Sequence, residues 1–474
     1  MMTSPFLRAD PAVDFALSVT TAFFATAAAS VILVGGLPVT VHAAEFAERG
    51  ALLGFGEPIA LVFAMFAAVW SAATLGRSTQ TWSIAAGCLL LGSFLLAFFG
   101  SSGFYGPMDA GPYLALRAFT AVLSGVVVGA VLSRAWFRPS AGPAVAAAGG
   151  VLTGLLLSGT VSGAASGIYI SGQLLAAAPV GTVLMWFVMS CGLISLTMSM
   201  ILDSPLPRES SHSPNKRTLA RITVGAGVLA AYQIVAIAVA AQVSQDWGEL
   251  ARFITAAFVV GILAFVLWMV ALGMSRWDGP WAAGALLVMV AFTAAAAPVI
   301  SQVPRIGNTA MLLPVVAALC GGLAVGVRLK HSGYHVLNGL LLLAVVPVIG
   351  LIGGGSALVI FIQLMFLATG IGLALGSALP GAGPTATALA LTVPLVAHSL
   401  IALVSTPLFR GAIPSTTVRD SGPLPALWFQ VIPNSGGSIF AVSLVGLCGA
   451  GILGIGYATY RFAGDEPPVG ATER

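Results

Sequence analysis

Long apolar runs decide what this chain can fold into. Most span roughly 16–28 residues, enough to cross a hydrocarbon core about 30 Å thick at about 1.5 Å of rise per helical residue. Barrel strands would be about ten residues of alternating polarity, which these runs are not. The expected fold is an all-α polytopic membrane protein. Composition agrees, with 58% hydrophobic and 7% charged residues, where soluble domains carry about 25% charged. The formal net charge is +4, and no basic cluster with interleaved aromatics points to nucleic acid. Cys88, Cys191, Cys320 and Cys448 lie in apolar runs without CxxC or His/Cys spacing, so they read as packing residues, and no metal or cofactor is expected. After the first run, LPVTVHAAEF (Leu37 to Phe46) loosely resembles a signal-peptidase site. A run of over about twenty residues behind one arginine is instead read as a first transmembrane helix.

Polar, glycine and proline breaks place spans near 12–36, 51–75, 82–104, 111–133, 143–165 and 175–202. Further spans fall near 222–243, 253–274, 280–300, 311–329, 338–353, 357–379, 386–409 and 437–462, about fourteen in all. At GLIGGGSALVI (Gly350 to Ile360) the small residues fit either a tight turn or a flexible point in one bent helix. With the N-terminus inside, Arg77, Arg134, Arg138, Lys216, Arg217, Arg328 and Lys330 are among the inside cations, and only Arg49, Arg252, Arg305, Arg410 and Arg419 lie outside. Both termini are therefore expected in the cytoplasm. DSPLPRESSHSPNKRTLAR (Asp203 to Arg221) is too polar to bury and reads as a cytoplasmic linker.

Six helices, a basic linker and eight more is the layout of the fourteen-helix branch of the major facilitator superfamily, and three local patterns resemble its drug:proton antiporters. VGGLPVTVHAAE (Val34 to Glu45) is similar to the "ALP" ending of the family's first helix. In the fourth run Arg117 is followed eight residues later by Gly125, and AAAPVG (Ala176 to Gly181) resembles the opening of the sixth helix. The signature loop after helix 2 survives in outline, with Arg77 in place and Gly76 where the family has aspartate; its second-half counterpart keeps Arg328, Lys330 and Gly333. Val359 to Ala378 aligns with the fourth span, setting Gln363 opposite Arg117 and Gly370 near Gly125. The resemblance implies two six-helix bundles (1–202 and 280–474) around a central cavity, related as parallel repeats. A linker (203–221) and an inserted hairpin (222–279) would lie between them. It implies a secondary transporter in a bacterial cytoplasmic membrane.

Arg117 is a cation inside an apolar run, where insertion costs roughly 2.5–3.5 kcal/mol. It needs a partner, a watery cavity or a task. Glu57, followed by Pro58, lies at similar depth in the second span. Two readings stand together: a pair, or Glu57 alone, that titrates as protons move, and a static pair that fixes packing. The first span carries no acid in TAAASVILVGGLP (Thr26 to Pro38), which weighs against coupling there. Gln233, Gln363 and His398 are candidate cavity residues or interhelical hydrogen-bonding groups. Gly150, Gly154 and Ser158 share one face of the fifth span, a face that permits close helix contact and that, in the family, meets the other half. Few embedded charges suit a hydrophobic small molecule or lipid as substrate, with membrane lipids around the chain and protons as the expected coupling ion. No phosphate-binding loop for ATP is present. Two other readings remain, a carrier-derived scaffold or sensor and a lipid-linked transferase using His42, Glu45 and Glu48.

Overall fold

In hydrocarbon the backbone must satisfy its own N–H and C=O groups, and helices do so residue by residue. The computed structural model describes residues 11–34, 50–78, 80–100, 110–136, 138, 140–155, 178–202, 280–300, 311–328, 333–353 and 356–392, with a few isolated positions between 220 and 270. Every regular element among these residues is helical. In the first half α1 spans Pro11–Val34, α2 Gly50–Thr74, α3 Thr81–Gly100, α4 Ala110–Trp136, α5 Gly142–Leu155 and α6 Ala178–Leu202. In the second, α7 spans Pro280–Ile300, α8 Leu312–Arg328, α9 Gly333–Gly353, α10 Ala357–Ala378, and α11 covers 384–392. Among the described residues, Pro11–Leu33, Ala115–Trp136 and Ala357–Gly381 are each long and apolar enough to cross a membrane. The chain is a multi-pass membrane protein. The expected spans near 222–243, 253–274 and 437–462 and the linker 203–221 lie almost wholly outside the described residues.

Helix ends follow local chemistry. Asp14 sits in the first turn of α1 and Arg134 in the last turn of α4, each of the sign that the helix dipole favours. This carries α4 to Trp136, past the expected end at residue 133. The glycine-rich stretch at 350–356 separates two helices: α9 ends at Gly353, and the Ser356 hydroxyl accepts a bond from Val359 N–H at 3.4 Å to open α10. α9 starts at Gly333, earlier than the expected 338, and takes in Tyr334, which is 79% exposed. An aromatic residue with a polar tip suits a membrane interface, so polarity there did not mark a loop.

Packing runs through small residues. α4 lies parallel to α2, and a methyl group placed on Gly125 would overlap Ala64 O, one on Gly129 both Ala68 O and Ser71 Oγ. α5 lies parallel to α1 in the same way, Gly150 against Phe23 O and Gly154 against Ala27 O. α10 lies parallel to α8, with Gly372 against Leu319 O and Gly376 against Leu323 O. Such contact is how helices associate where lipid supplies no hydrophobic drive.

The α2–α4 and α8–α10 seams are the same seam. Gly372 and Gly376 follow Gly125 and Gly129 by a constant 247 residues, and their partners Leu319 and Leu323 follow Ala64 and Ala68 by a constant 255. A second shared feature is a corner. Phe15, at the start of α1, packs on Gly142 at the start of α5, and Trp281, at the start of α7, packs on Gly381 just ahead of α11. Both α5 and α11 open on Ala-Gly-Pro, at 141–143 and 382–384, a register in which Gly142 matches Gly383, so the Trp281 contact at Gly381 falls two residues earlier than the Phe15 contact. The glycine register corrects the alignment made from sequence. At a spacing of 247, Arg117 corresponds to fully buried Leu364, and Gln363 lies one residue away, about 100° round the helix.

Gly129→Ala is expected to destabilise the fold by about 1–3 kcal/mol, since backbone must move to admit a methyl group. Gly87→Ala is the control: nothing lies within 4 Å of its methyl position, and helix propensity favours alanine by about 1 kcal/mol. Thermal unfolding of the two variants in detergent, with only Gly129→Ala lowering the midpoint, is the expected result.

Candidate functional site

Arg117 answers the question its sequence raised. It is 4% exposed, and its Nη2 donates to the carbonyl of Leu33 at 2.8 Å. Leu33 stands one residue before the end of α1, so this carbonyl is one of the last four that find no partner within the helix. The helix terminus carries partial negative charge, and a guanidinium placed there recovers part of what it loses by leaving water. The Arg117 carbonyl also accepts from Thr120 Oγ1 at 3.0 Å. Among the described residues the buried charged side chains are Arg117 and Arg134.

The α2–α4 seam also sets the level of Glu57. With Gly125 beside Ala64 and Gly129 beside Ala68, moving two turns toward the start of both helices brings Arg117 level with residues 56–57. Each residue is also seven positions past the start of its helix, Ala110 and Gly50. At Glu57 the backbone alone is described.

α1 is tied at further points along its length. Thr21 Oγ1 donates to Ser195 O at 3.2 Å and lies 2.7 Å from Ser199 Oγ, both on α6. Thr26 Oγ1 reaches Ala147 O on α5 at 2.8 Å. Near the start of α1, Asp14 Oδ2 accepts from Arg138 Nη1 in an ion pair that is 21% and 12% exposed on its two sides. Sequence reasoning missed this pair. Its signal was an acid in the first turn of the first span and an arginine in the short connection after the fourth, both on the side that the charge rule puts inside. Also missed was Thr81, whose hydroxyl donates to Leu75 O and to Ser78 O at 2.7 Å, bracing the turn between α2 and α3.

The other candidates are distributed as follows. Gln363 is 2% exposed and donates to Val346 O of α9 at 2.9 Å, so in this conformation its amide braces two neighbouring helices. Gly150 and Gly154 face α1 and close a seam inside the first bundle; the contact to the other half is made by Gly149, whose methyl position lies 2.8 Å from Leu323 Cδ1 of α8. The face expected to meet the other half is therefore turned by one residue, because the backbone of α1 occupies it. Arg328 is exposed at the end of α8, and Arg77 closes the short turn Leu75–Arg77 with the backbone alone described. Gln233, His398, Ser158 and Lys330 lie outside the described residues. Most described helical hydroxyls turn back onto the carbonyl of the preceding turn, as Ser30 does on Thr26 O at 2.9 Å and Ser124 on Thr120 O at 3.0 Å. Ser133, Thr153 and Thr387 are buried with no hydrogen-bond partner among the described residues.

No protein-family model matches the sequence, and no curated protein matches it. Among solved structures the chain is similar to the POT family transporter PepTSo, determined in meso, with 14% identity and a TM-score of 0.40 over 94% of this chain and 98% of that one.

Arg117→Met keeps much of the side chain's volume and leaves the Leu33 carbonyl without its donor. The expected loss is about 1–3 kcal/mol, read as a lower unfolding midpoint in detergent together with faster proteolysis at the end of α1. For the Asp14–Arg138 pair, a double-mutant cycle of Asp14→Asn and Arg138→Gln should give a coupling of about 0.5–1 kcal/mol. A coupling of zero would show that solvent screens the pair completely.

Proposed function

We propose that this chain is a secondary transporter working by alternating access, which exports hydrophobic small molecules or lipids across a bacterial cytoplasmic membrane with protons as the coupling ion. The observation that carries this reading is the duplicated seam. Two helical groups, 11–202 and 280–392, share one close-packed contact in one register, and each has a helix that opens on Ala-Gly-Pro. Parallel repeats of that kind let one bundle rock against the other around a site between them. The Gly149–Leu323 contact supports a direct meeting of the halves. Scarcity of buried charge among the described residues supports an apolar cargo, since a strongly charged solute needs compensating groups. Proton coupling rests on Glu57 standing level with Arg117, where a nearby cation and loss of water act in opposite directions on a carboxyl group. A carrier-derived scaffold is the second reading. Its support is that Arg117 and Gln363 both donate to backbone carbonyls, as static braces do.

Nile red efflux from cells expressing the chain separates the two, with wild type beside Glu57→Gln and each with and without a protonophore. Proton-driven export predicts that either treatment reduces efflux to the level of cells lacking the chain. Wild-type cells that expel neither Nile red nor any of a broad apolar panel would establish the scaffold reading instead.

A further inference from the structure

The geometry points to Thr153 as the polar contact of a ligand site between the two halves, for a mostly apolar solute bearing one carbonyl, ether or hydroxyl group; this rests on the transporter reading above. The first observation is an unmet hydroxyl. Thr153 is 4% exposed and its Oγ1 has no hydrogen-bond partner among the described residues. A remedy is available on its own helix, and Ser377 and Thr392 use it, bonding to the carbonyl four residues back at 3.0 and 2.7 Å. Thr153 does not, and so carries the full penalty of a buried, unpaired polar group.

Direction and depth single it out. On α5, Gly149 meets Leu323 of the second half and Gly150 meets Phe23 O of α1. Thr153 lies between these directions, about 40° from one and about 60° from the other by helical rotation. It therefore points into the junction of α1, α5 and α8, where the hydroxyls that α1 contributes, Thr26 and Ser30, are already bonded to carbonyls. Thr153 stands eleven residues past Gly142, about 16 Å along the helix, near the middle of a core about 30 Å thick. Transporter sites formed between repeats lie at that depth. Ser133 and Thr387 are also without partners, but each stands within about one turn of a helix end. The neighbours at the junction, Phe23 and Leu323, are apolar, which limits the ligand to one polar group for one hydroxyl.

The test compares wild type, Thr153→Val and Thr153→Ser as purified full-length protein in detergent. Equilibrium binding is measured with Nile red, which carries a carbonyl acceptor, and with diphenylhexatriene, a hydrocarbon with none. Thr153→Val, close to isosteric, should bind Nile red about three- to tenfold more weakly, Thr153→Ser should restore it, and diphenylhexatriene should not distinguish the three. Equal binding of Nile red by wild type and Thr153→Val overturns the site, as does an equal loss of both probes or a wild type that binds neither. Efflux from cells expressing the same variants is scored separately. Binding that depends on Thr153 in a chain that moves no probe keeps the site and overturns transport.

Discussion

Lipid is as apolar as leucine, so helices in a membrane gain little by exchanging lipid for one another and are held by how near their backbones can come. The rest of this structure depends on that constraint. It explains why glycine recurs four residues apart on α4, α5 and α10, and why the facing positions are main-chain carbonyls. The same close approach joins consecutive, antiparallel helices too, as where Gly339 of α9 meets Gly370 O of α10. Once α2–α4 and α1–α5 are closed, the height of every other group on those helices is set. Arg117 reaches the end of α1, and residues 56–57 are brought to its level, as consequences of contacts made two turns away.

The same constraint divides what the sequence revealed from what it hid. Hydrophobic runs made the helices legible, since a run of that length has few other forms in a bilayer. Their rotation about their own axes was much less legible. Gly150 and Gly154 read as a close-packing face, which they are, but the sequence did not say that α1 would occupy it and leave Gly149 to meet the other half. Likewise an alignment by polar residues put Gln363 opposite Arg117, one residue out of the register set by the glycines. A step of one residue turns a helix by about 100°, and a chain this uniform in polarity offers little to detect it.

Polar residues were legible as candidates and much less so as pairs. Arg117 stands out in any apolar run, but one partner it has among the described residues is a main-chain carbonyl, and every residue supplies one. No pattern of residue types can announce that contact. The Asp14–Arg138 pair joins residues 124 apart in sequence, each ordinary for its place near a helix end. Thr153 is less conspicuous still, since what distinguishes it is a bond not made.

The fastening of α1 has a mechanical meaning. It is held at its N-terminal end by Arg138, along its length by α5 and α6, and at its C-terminal end by Arg117. A rod pinned only at its centre can swing, but one clamped at both ends can only flex or carry load. α1 is of the second sort, a strut that passes a push at one face of the membrane to the connection between α4 and α5 at the other.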